Sequence, residues 1–250
     1  MTQRLSNKYA LITGGTAGIG LETAKQFELE GATVAVTGRR ESGLVNARSQ
    51  LTDHALILRN DAGDLGQQRE LANQLREQFP RLDIVFVNAG DVTHQPFQSW
   101  DEESFDRVIQ TNLKGPFFLI QSLLPLLAER ASIILCGSAA THVGLAQSSV
   151  YVASKAGLTS LARTLSGELK ERGIRINTLS PGPTRTDAFN KFGLSPEQQH
   201  ALENEVQQMI PMNRMGTTLE LAKAAVFMAS DESAFMMGTE LLIDGGFGSL

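Results

Sequence analysis

The sequence predicts a single α/β domain, a doubly wound parallel sheet of about seven strands with helices on both faces. Short apolar runs alternate along the chain with longer segments whose apolar residues recur at helical spacing. The runs lie near residues 8–12, 32–37, 54–59, 83–87, 131–136, 174–179 and 239–243. With 250 residues, 42% of them hydrophobic, the chain can bury one large core, so one domain is expected over residues 1–250.

Composition narrows the classes of partner. The net charge of −5 and the lack of a basic stripe argue against nucleic acid as the principal partner. The single cysteine, Cys136, cannot form an internal disulfide and is expected in the core, which fits a reducing compartment. The four histidines lack metal-ligand spacing, so no metal site is expected. Without an apolar signal segment or membrane-spanning run, the sequence predicts a cytoplasmic protein with no membrane partner.

A glycine-rich segment, TGGTAGIG at 13–20, follows the first predicted strand and leads into a predicted helix. Gly14, Gly18 and Gly20 allow a tight turn, and the start of the helix offers unpaired N–H groups to a pyrophosphate. The glycine spacing differs from the common G-x-G-x-x-G pattern, and by itself the segment also fits a turn without a ligand.

The predicted helix that begins near residue 149 carries Tyr151 and Lys155, four positions apart and therefore on one helix face. A neighbouring ammonium favours the phenolate, so Lys155 is expected to lower the pKa of Tyr151, with help from a bound cationic cofactor because one ion pair alone normally contributes too little. Ser138 follows the buried strand ASIILCG, where its hydroxyl would hold a substrate oxygen. Taken alone, the tyrosine and lysine also fit the surface of an ordinary helix.

Together these features resemble the short-chain dehydrogenase/reductase family across almost the whole chain. The shared motifs are TGGTAGIG at 13–20, Asp61, NAG at 88–90, Asn112, Ser138, Tyr151 with Lys155, PGPTRT at 181–186, Gly238, and DGG at 244–246. The resemblance implies a Rossmann-type fold bound to a nicotinamide cofactor.

The resemblance also assigns roles to individual residues. It implies that Tyr151 is the general acid/base, Ser138 orients the substrate carbonyl, Lys155 binds the nicotinamide ribose, and Asn112 supports a proton-relay water. These four residues are the predicted catalytic set. The predicted cofactor-binding residues are Gly14, Thr16, Gly18, Ile19, Gly20, Arg39, Arg40, Asp61, Ala62, Asn88, Ala89, Gly90, Tyr151, Lys155, Pro181, Gly182, Thr184 and Thr186.

The end of the second predicted strand indicates which nicotinamide cofactor binds. An acidic residue at this position accepts from a free ribose hydroxyl, whereas arginine accommodates a 2′-phosphate. Here Gly38 precedes Arg39 and Arg40 and no acid is present, so NADP(H) is preferred, with NAD(H) as the second choice. The alternative is that the arginines, one of them paired with Glu41, only solvate a loop.

The predicted activity is reversible hydride transfer between NADP(H) and a carbonyl or secondary alcohol. Two alternatives stay open: an epimerase, dehydratase or enoyl reductase on the same fold, and a regulatory protein that binds NADP(H) without turnover. The sequence does not choose among sugar, steroid, acyl thioester and small ketone substrates. Family resemblance and the apolar helices predicted over 101–128 and 149–172 favour a homotetramer.

Residues 187–214 are expected to form a substrate lid. Eight side chains in this segment or near the expected mouth of the site are weaker candidates for substrate contact, because surface exposure or helix packing explains them as well. They are Asp91, His94, His142, Gln147, Phe189, Phe192, Met209 and Met212.

Overall fold

The computed structural model describes residues 3–186 and 195–250, and seven parallel strands form its central sheet. The strands of this sheet are β1 Tyr9–Ile12, β2 Thr33–Gly38, β3 Leu56–Arg59, β4 Leu82–Val87, β5 Leu127–Cys136, β6 Arg175–Pro181 and β9 Glu240–Ile243. Their order in the sheet is β3-β2-β1-β4-β5-β6-β9. The fold class and the seven strands predicted from the sequence are confirmed.

Helices cover both faces of the sheet, which is why the strands read as nearly continuous apolar runs. The helices are α1 Gly18–Leu29, α2 Glu41–Gln50, α3 Leu65–Gln78, α4 Glu102–Ile109, α5 Gly115–Leu123, α6 Ser149–Glu168, α7 Pro196–Gln208 and α8 Thr218–Ala229. Helices α3, α5 and α6 pack on one face through residues such as Leu75, Leu123 and Leu158. Helices α1, α2 and α8 pack on the other, where Phe27 and Val226 are buried.

Adjacent strand residues point to opposite faces and supply the two cores. Leu11 and Val85 belong to the core under α3, α5 and α6, whereas Ile12 and Phe86 belong to the core under α1 and α8. Within residues 3–186 and 195–250, none of the helices combines the length and apolar character that a membrane crossing requires.

The long helix predicted around Asn112 is interrupted. A π-helical turn, Gln110–Lys114, separates α4 from α5. Such turns displace the helix by one residue and are frequent at functional sites. Gly115 follows the turn, and a Cβ there would lie 2.0 Å from the carbonyl oxygen of Ala62, so only glycine fits where the helix meets the end of β3.

The predicted lid is only partly within the described residues. Its first part, 187–194, including Phe189 and Phe192, lies outside them. The remainder contains α7, which a capping box at Ser195 begins. A short second ladder pairs β7, Thr184–Arg185, with β8, Gly216–Thr217, and so joins the chain before the lid to the chain after it.

Candidate active site

A cavity of about 640 Å³ opens at the carboxyl ends of β1 to β4. The strand order reverses between β1 and β4, and open α/β sheets bind ligands at such a reversal. Nine of the predicted cofactor-binding residues line this cavity: Gly14, Thr16, Arg39, Arg40, Asp61, Ala62, Asn88, Ala89 and Gly90.

The glycine loop is built against the end of β4. The side-chain amide of Asn88 donates to the carbonyls of Thr13 (3.0 Å) and Gly14 (3.2 Å). Gly14 has φ of 64°, a left-handed value that favours glycine. A Cβ on Gly20 would lie 2.4 Å from the Gly14 carbonyl oxygen, so Gly20 lets α1 approach the loop closely.

The start of α1 suits the pyrophosphate of a dinucleotide. Ala17 occupies the N-cap position and supplies no side-chain hydrogen bond to the first turn. The first N–H groups of the helix, beginning at Gly18 and Ile19, are therefore available to an anion. Thr186 lies against this turn, since a Cβ on Gly18 would be 3.5 Å from its Cγ2 atom.

The end of β2 places a cation beside the cavity and an acid away from it. Arg39 is 60% exposed, and its Nη1 lies 3.5 Å from Oδ2 of Asp61. Glu41 does not pair with Arg39 or Arg40 but with Arg59 (2.8 Å) and Arg48 (3.5 Å). These guanidinium groups, Arg59 above all, hold the pKa of Glu41 below its usual range. The Glu41 carboxylate, which follows the arginine pair in the chain, is thus directed toward Arg59 on β3, and Asp61 is the carboxylate that lies beside Arg39.

Asp61 closes a turn and also lies at the wall of the cavity. Its Oδ1 accepts from the backbone N–H of Gly63 (3.0 Å), which closes the turn after β3. Asp64, three residues on, is the N-cap of α3 and accepts from Gly66 and Gln67. The capping function therefore belongs to Asp64, which leaves Asp61 at the wall of the cavity.

Ser138 and Tyr151 lie side by side beyond the end of β5. The Ser138 hydroxyl oxygen accepts from Ala140 N–H (3.2 Å) and also forms a hydrogen bond with the Tyr151 phenol. Burial raises the pKa of Tyr151 to about 12, an effect that the Ser138 hydrogen bond opposes. The phenol is therefore protonated at neutral pH in the protein without a cofactor.

Lys155 is 4% exposed and lies beneath Tyr151 on the same helix face. Its ammonium donates to the carbonyl of Cys136 (2.7 Å) and is 6.0 Å from the centre of the Tyr151 ring. Burial lowers the pKa of Lys155. Lys155 by itself does not produce the expected lowering of the Tyr151 pKa, because desolvation of the phenol has the largest effect on that pKa and raises it.

Asn112 is fully buried in the π-helical turn. Its carboxamide accepts from Asp91 N–H (2.7 Å) and donates to the Asp91 carbonyl (2.8 Å) and to Ser154 Oγ (3.0 Å). Asn112 thus joins the loop after β4 to α6. A Cβ on Gly90 would lie 3.4 Å from both Asn112 Oδ1 and Lys155 Nζ, so these groups share one small space.

The PGPTRT segment lies beside the carboxyl end of β6. Gly182 N–H donates to the Ile243 carbonyl (3.0 Å), and Thr184 Oγ1 donates to the Gly182 carbonyl (2.9 Å).

The predicted cofactor-binding residues outside the cavity wall fall into three nearby groups: the first turn of α1, the Tyr151 and Lys155 face of α6, and the PGPTRT segment. They are Gly18, Ile19, Gly20, Tyr151, Lys155, Pro181, Gly182, Thr184 and Thr186.

The sequence reasoning missed several polar residues at the site. Thr13 Oγ1 accepts from the backbone N–H of both Asn88 (3.0 Å) and Ala89 (3.1 Å), which fixes the NAG segment. The signal for it was a hydroxyl residue at the end of a buried strand. The other missed residues, which line the cavity, are Thr37, Ser42, Gly43, Asn46, Asn60, Val92, Thr93 and Thr111.

The structure places the weaker candidates for substrate contact in different surroundings. Asp91 accepts from Arg107 (3.1 Å), which ties its loop to α4. His142 Nε2 lies 3.2 Å from Glu240 on the edge strand. The His94 ring lies 5.2 Å from that of Tyr151. Exposed positions are occupied by Gln147, Met209 and Met212.

Comparison with known proteins places this geometry in a family. The sequence profile of a family described as "Enoyl-(Acyl carrier protein) reductase" matches residues 14–248. The chain is 39% identical to "Oxidoreductase asL5" of Sarocladium schorii, over 99% of this chain and 98% of that protein. It is 33% identical to galactitol 2-dehydrogenase of Agrobacterium fabrum, over 97% and 98% of the two chains. A solved "short chain dehydrogenase/reductase family protein" superposes with a TM-score of 0.87 at 34% identity, covering 99% of this chain and 100% of the other.

The chain belongs to the short-chain dehydrogenase/reductase family. As a short-chain dehydrogenase/reductase it is a hydride-transfer oxidoreductase that acts on alcohols and ketones with a nicotinamide cofactor. The cavity fits such a group, since uncapped N–H groups face the pyrophosphate position and only glycine is tolerated at Gly14 and Gly20.

Proposed function

We propose that this short-chain dehydrogenase/reductase interconverts a ketone and a secondary alcohol, with NADP(H) preferred over NAD(H), in the cytoplasm. The observation that carries the proposal is the hydrogen-bonded pair of Ser138 and Tyr151, close to Lys155, whose Nζ would lie 3.4 Å from a Cβ on Gly90 in the cavity wall. Two hydroxyl donors that converge on one point suit an oxygen that gains negative charge during reduction.

Each residue of the site has a separate role in the reaction. The bound nicotinamide supplies or accepts the hydride. Ser138 and Tyr151 hold the substrate oxygen, and Tyr151 donates its phenolic proton to that oxygen as it becomes an alcohol. Lys155 binds the nicotinamide ribose. Asn112 holds the backbone of the loop after β4 through its two hydrogen bonds to Asp91. The buried position of Lys155 keeps its ammonium close to the proton-transfer group.

Carbonyl and alcohol substrates, each supplied with both cofactors, test this assignment. Absorbance of the reduced nicotinamide reports turnover, and product analysis identifies the bond that changes. We expect ketone reduction and alcohol oxidation. Cofactor binding without turnover of any compound would instead indicate a regulatory protein.

A second candidate function is enoyl reduction, which the description of the matching family names. That reaction adds hydride and proton across a carbon–carbon double bond. Ser138 favours ketone reduction, because its hydroxyl is placed beside Tyr151 to hold an oxygen at the reacting carbon. An α,β-unsaturated thioester and its β-keto counterpart, offered in parallel, separate the two activities.

Three observations support NADP(H) as the preferred cofactor. Arg39 and Arg40 line the cavity, Ser42 and Gly43 lie there in the first turn of α2, and Glu41 is engaged elsewhere. A phosphate would therefore meet guanidinium groups and a helix N-terminus without a facing carboxylate from α2.

We expect Arg39→Leu to weaken NADPH binding about tenfold or more while changing NADH binding by less than about threefold. A charge-assisted bond contributes about 1.5–3 kcal/mol, which the 2′-phosphate alone can use. Dissociation constants from quenching of protein fluorescence measure the effect. Arg76→Leu, an exposed arginine on α3, is the matched control. Equal losses for both cofactors would contradict the assignment of Arg39.

Reversal of the preference needs a third substitution. A Cβ on Gly38 would lie 2.5 Å from Thr16 Cγ2, so Gly38→Asp alone creates a clash. Thr16→Ala combined with Gly38→Asp and Arg39→Leu removes the two closest atoms, leaves the Cβ of residue 16 at 3.1 Å, and introduces a carboxylate for a free ribose hydroxyl. The triple variant is therefore the better construction for an NADH-preferring enzyme.

We also propose a homotetramer. An apolar groove between α5 and α6 is lined by Leu113, Phe117 and Leu161, and Phe117 remains 37% exposed in the single chain. A second copy related by a twofold axis would cover this groove. We expect light scattering to give a mass of about four times 27.1 kDa, and Phe117→Asp to lower it. A wild-type protein that stays at 27.1 kDa at micromolar concentration would rule out the proposal.

A further inference from the structure

The loop after β4 and the start of α6 are held together beside the phenol of Tyr151. Gln95 N–H donates to the Gln147 carbonyl (2.9 Å), and His94 Nδ1 lies 2.9 Å from Ser148 Oγ. The imidazole of His94 lies 5.2 Å from the Tyr151 ring, centre to centre, at an angle of 58°. His94 thus stands next to the group that transfers the proton.

Ser148 occupies the N-cap position of α6 but does not cap the helix with its side chain. Serine at this position usually accepts from the first turn, which stabilises a helix by about 1 kcal/mol. Here its hydroxyl is 1% exposed and is used by the Ala146 carbonyl (3.2 Å) and by His94. The Ser148 hydroxyl therefore does not cap α6 but contacts the imidazole of His94 and orients it.

This arrangement selects one tautomer of His94. Partial burial lowers the pKa of His94, so the ring is neutral at pH 7. Ser148 has one proton, and it donates that proton to the Ala146 carbonyl. Both contacts are satisfied only if His94 Nδ1–H donates to Ser148 Oγ, which leaves Nε2 as an acceptor. Among the described residues, Nε2 has no hydrogen-bond partner, and His94 remains exposed.

We propose that His94 determines substrate specificity: its Nε2 accepts a hydrogen bond from a hydroxyl group close to the reacting carbon. The preferred substrates are then hydroxyketones, which gain a hydride and a proton to give diols, and the same diols in the reverse direction. This inference rests on the proposed ketone and alcohol chemistry and names its substrate class. A plain ketone offers no donor to Nε2 and leaves it unpaired in the filled site.

Matched pairs of ketones test the proposal. The pairs are acetoin and 2-butanone, 2-hydroxycyclohexanone and cyclohexanone, and 2-hydroxyacetophenone and acetophenone, each reduced with NADPH. The measured quantity is the ratio of kcat/KM within a pair, compared between the wild type and its variants. Taking the ratio relative to wild type removes the intrinsic reactivity of each carbonyl.

Three substitutions at His94 separate the acceptor from the ring. His94→Phe keeps a ring against Tyr151 without an acceptor, and the amide of His94→Asn reaches only the place of Nδ1. His94→Gln carries its amide oxygen to the place of Nε2. We expect the ratio to fall about tenfold in the Phe and Asn variants, the value of one hydrogen bond, and to stay within about threefold in the Gln variant. His54→Phe, an exposed histidine before β3, is the control.

Each outcome decides a different point. An unchanged ratio in the Phe and Asn variants overturns the role of His94 in specificity. If kcat/KM at the same time falls equally for both ketones of a pair, His94 has only a positioning effect on Tyr151. Cofactor affinity and melting temperature identify variants that fail to fold. In that case Ser148→Ala provides the test, because it removes the contact that selects the His94 tautomer, and it must lower the ratio by a smaller factor. Wild-type protein that reduces plain ketones but none of the three hydroxyketones overturns this inference alone, whereas absence of turnover of every carbonyl and alcohol tested with either cofactor overturns the proposed function and this inference with it.

Discussion

Tyr151→Phe should lose turnover by about 10³-fold or more while it binds the cofactor with nearly unchanged affinity. The phenol is the proton donor in the proposed reaction, and general acid catalysis contributes about 10²–10⁴-fold. A phenylalanine ring keeps the packing against His94, because only the hydroxyl is removed. Single-turnover reduction and cofactor titration measure the two effects separately.

The chain supplies a matched control for this substitution. Its other tyrosine, Tyr9, packs against Phe79 with ring centres 5.0 Å apart, at the amino end of β1, whereas Ser138 follows the carboxyl end of β5. Tyr9→Phe removes the same hydroxyl group and should leave turnover within about twofold. Turnover close to wild type in Tyr151→Phe would refute the proposed mechanism.

The direction of the pH dependence follows from the raised pKa of Tyr151. Without cofactor that pKa is about 12, so the phenol is protonated at neutral pH and is ready to donate. Ketone reduction should therefore fall as the pH rises through the phenol pKa of the enzyme–cofactor complex, and alcohol oxidation should rise over the same range. Tyr151→Phe should lose both trends in its residual activity.

Gly20→Ala should abolish measurable cofactor binding and lower the free energy of unfolding by about 2 kcal/mol. The new Cβ would lie 2.4 Å from the Gly14 carbonyl oxygen and 2.5 Å from Asn88 Nδ2. Asn88 and Gly14 are themselves hydrogen-bonded, so neither can withdraw without opening the loop. Overpacking at such a contact typically costs about 1–3 kcal/mol.

Gly167→Ala is the control for that experiment. Gly167 lies on the exposed side of α6, and a Cβ there would meet no atom within 4 Å. Alanine is favoured over glycine by about 0.5–1 kcal/mol in a helix interior and by less near its end, where Gly167 lies, so this variant should be at least as stable as the wild type. Urea unfolding and cofactor titration of both variants test the pair. A Gly20→Ala protein with wild-type affinity would show that the loop tolerates a side chain.

The sequence by itself determined the sheet and the identity of the residues near the cavity. Period and length of apolar runs distinguish buried strands from helices, and parallel strands bring their carboxyl ends to one edge. Residues distant in the chain, such as Gly14, Arg39 and Asn88, could therefore be assigned to one site before any contact was known. The glycine segment carried further information, because close backbone approach excludes every other residue type.

Only the tertiary structure decided the states of the groups at the site. The pKa of Tyr151 depends on how far the phenol is removed from water, and burial raises it although Lys155 lies on the same helix face. The carboxylate of Glu41 turns outward because Arg59 and Arg48 are within reach, which no local pattern reveals. His94 acquires its tautomer from a serine that is remote in the sequence. Desolvation and the direction of hydrogen bonds depend on contacts between segments that meet only in the folded chain. The sequence therefore identifies the residues of the site, and their packing determines their protonation states and hydrogen-bonding roles.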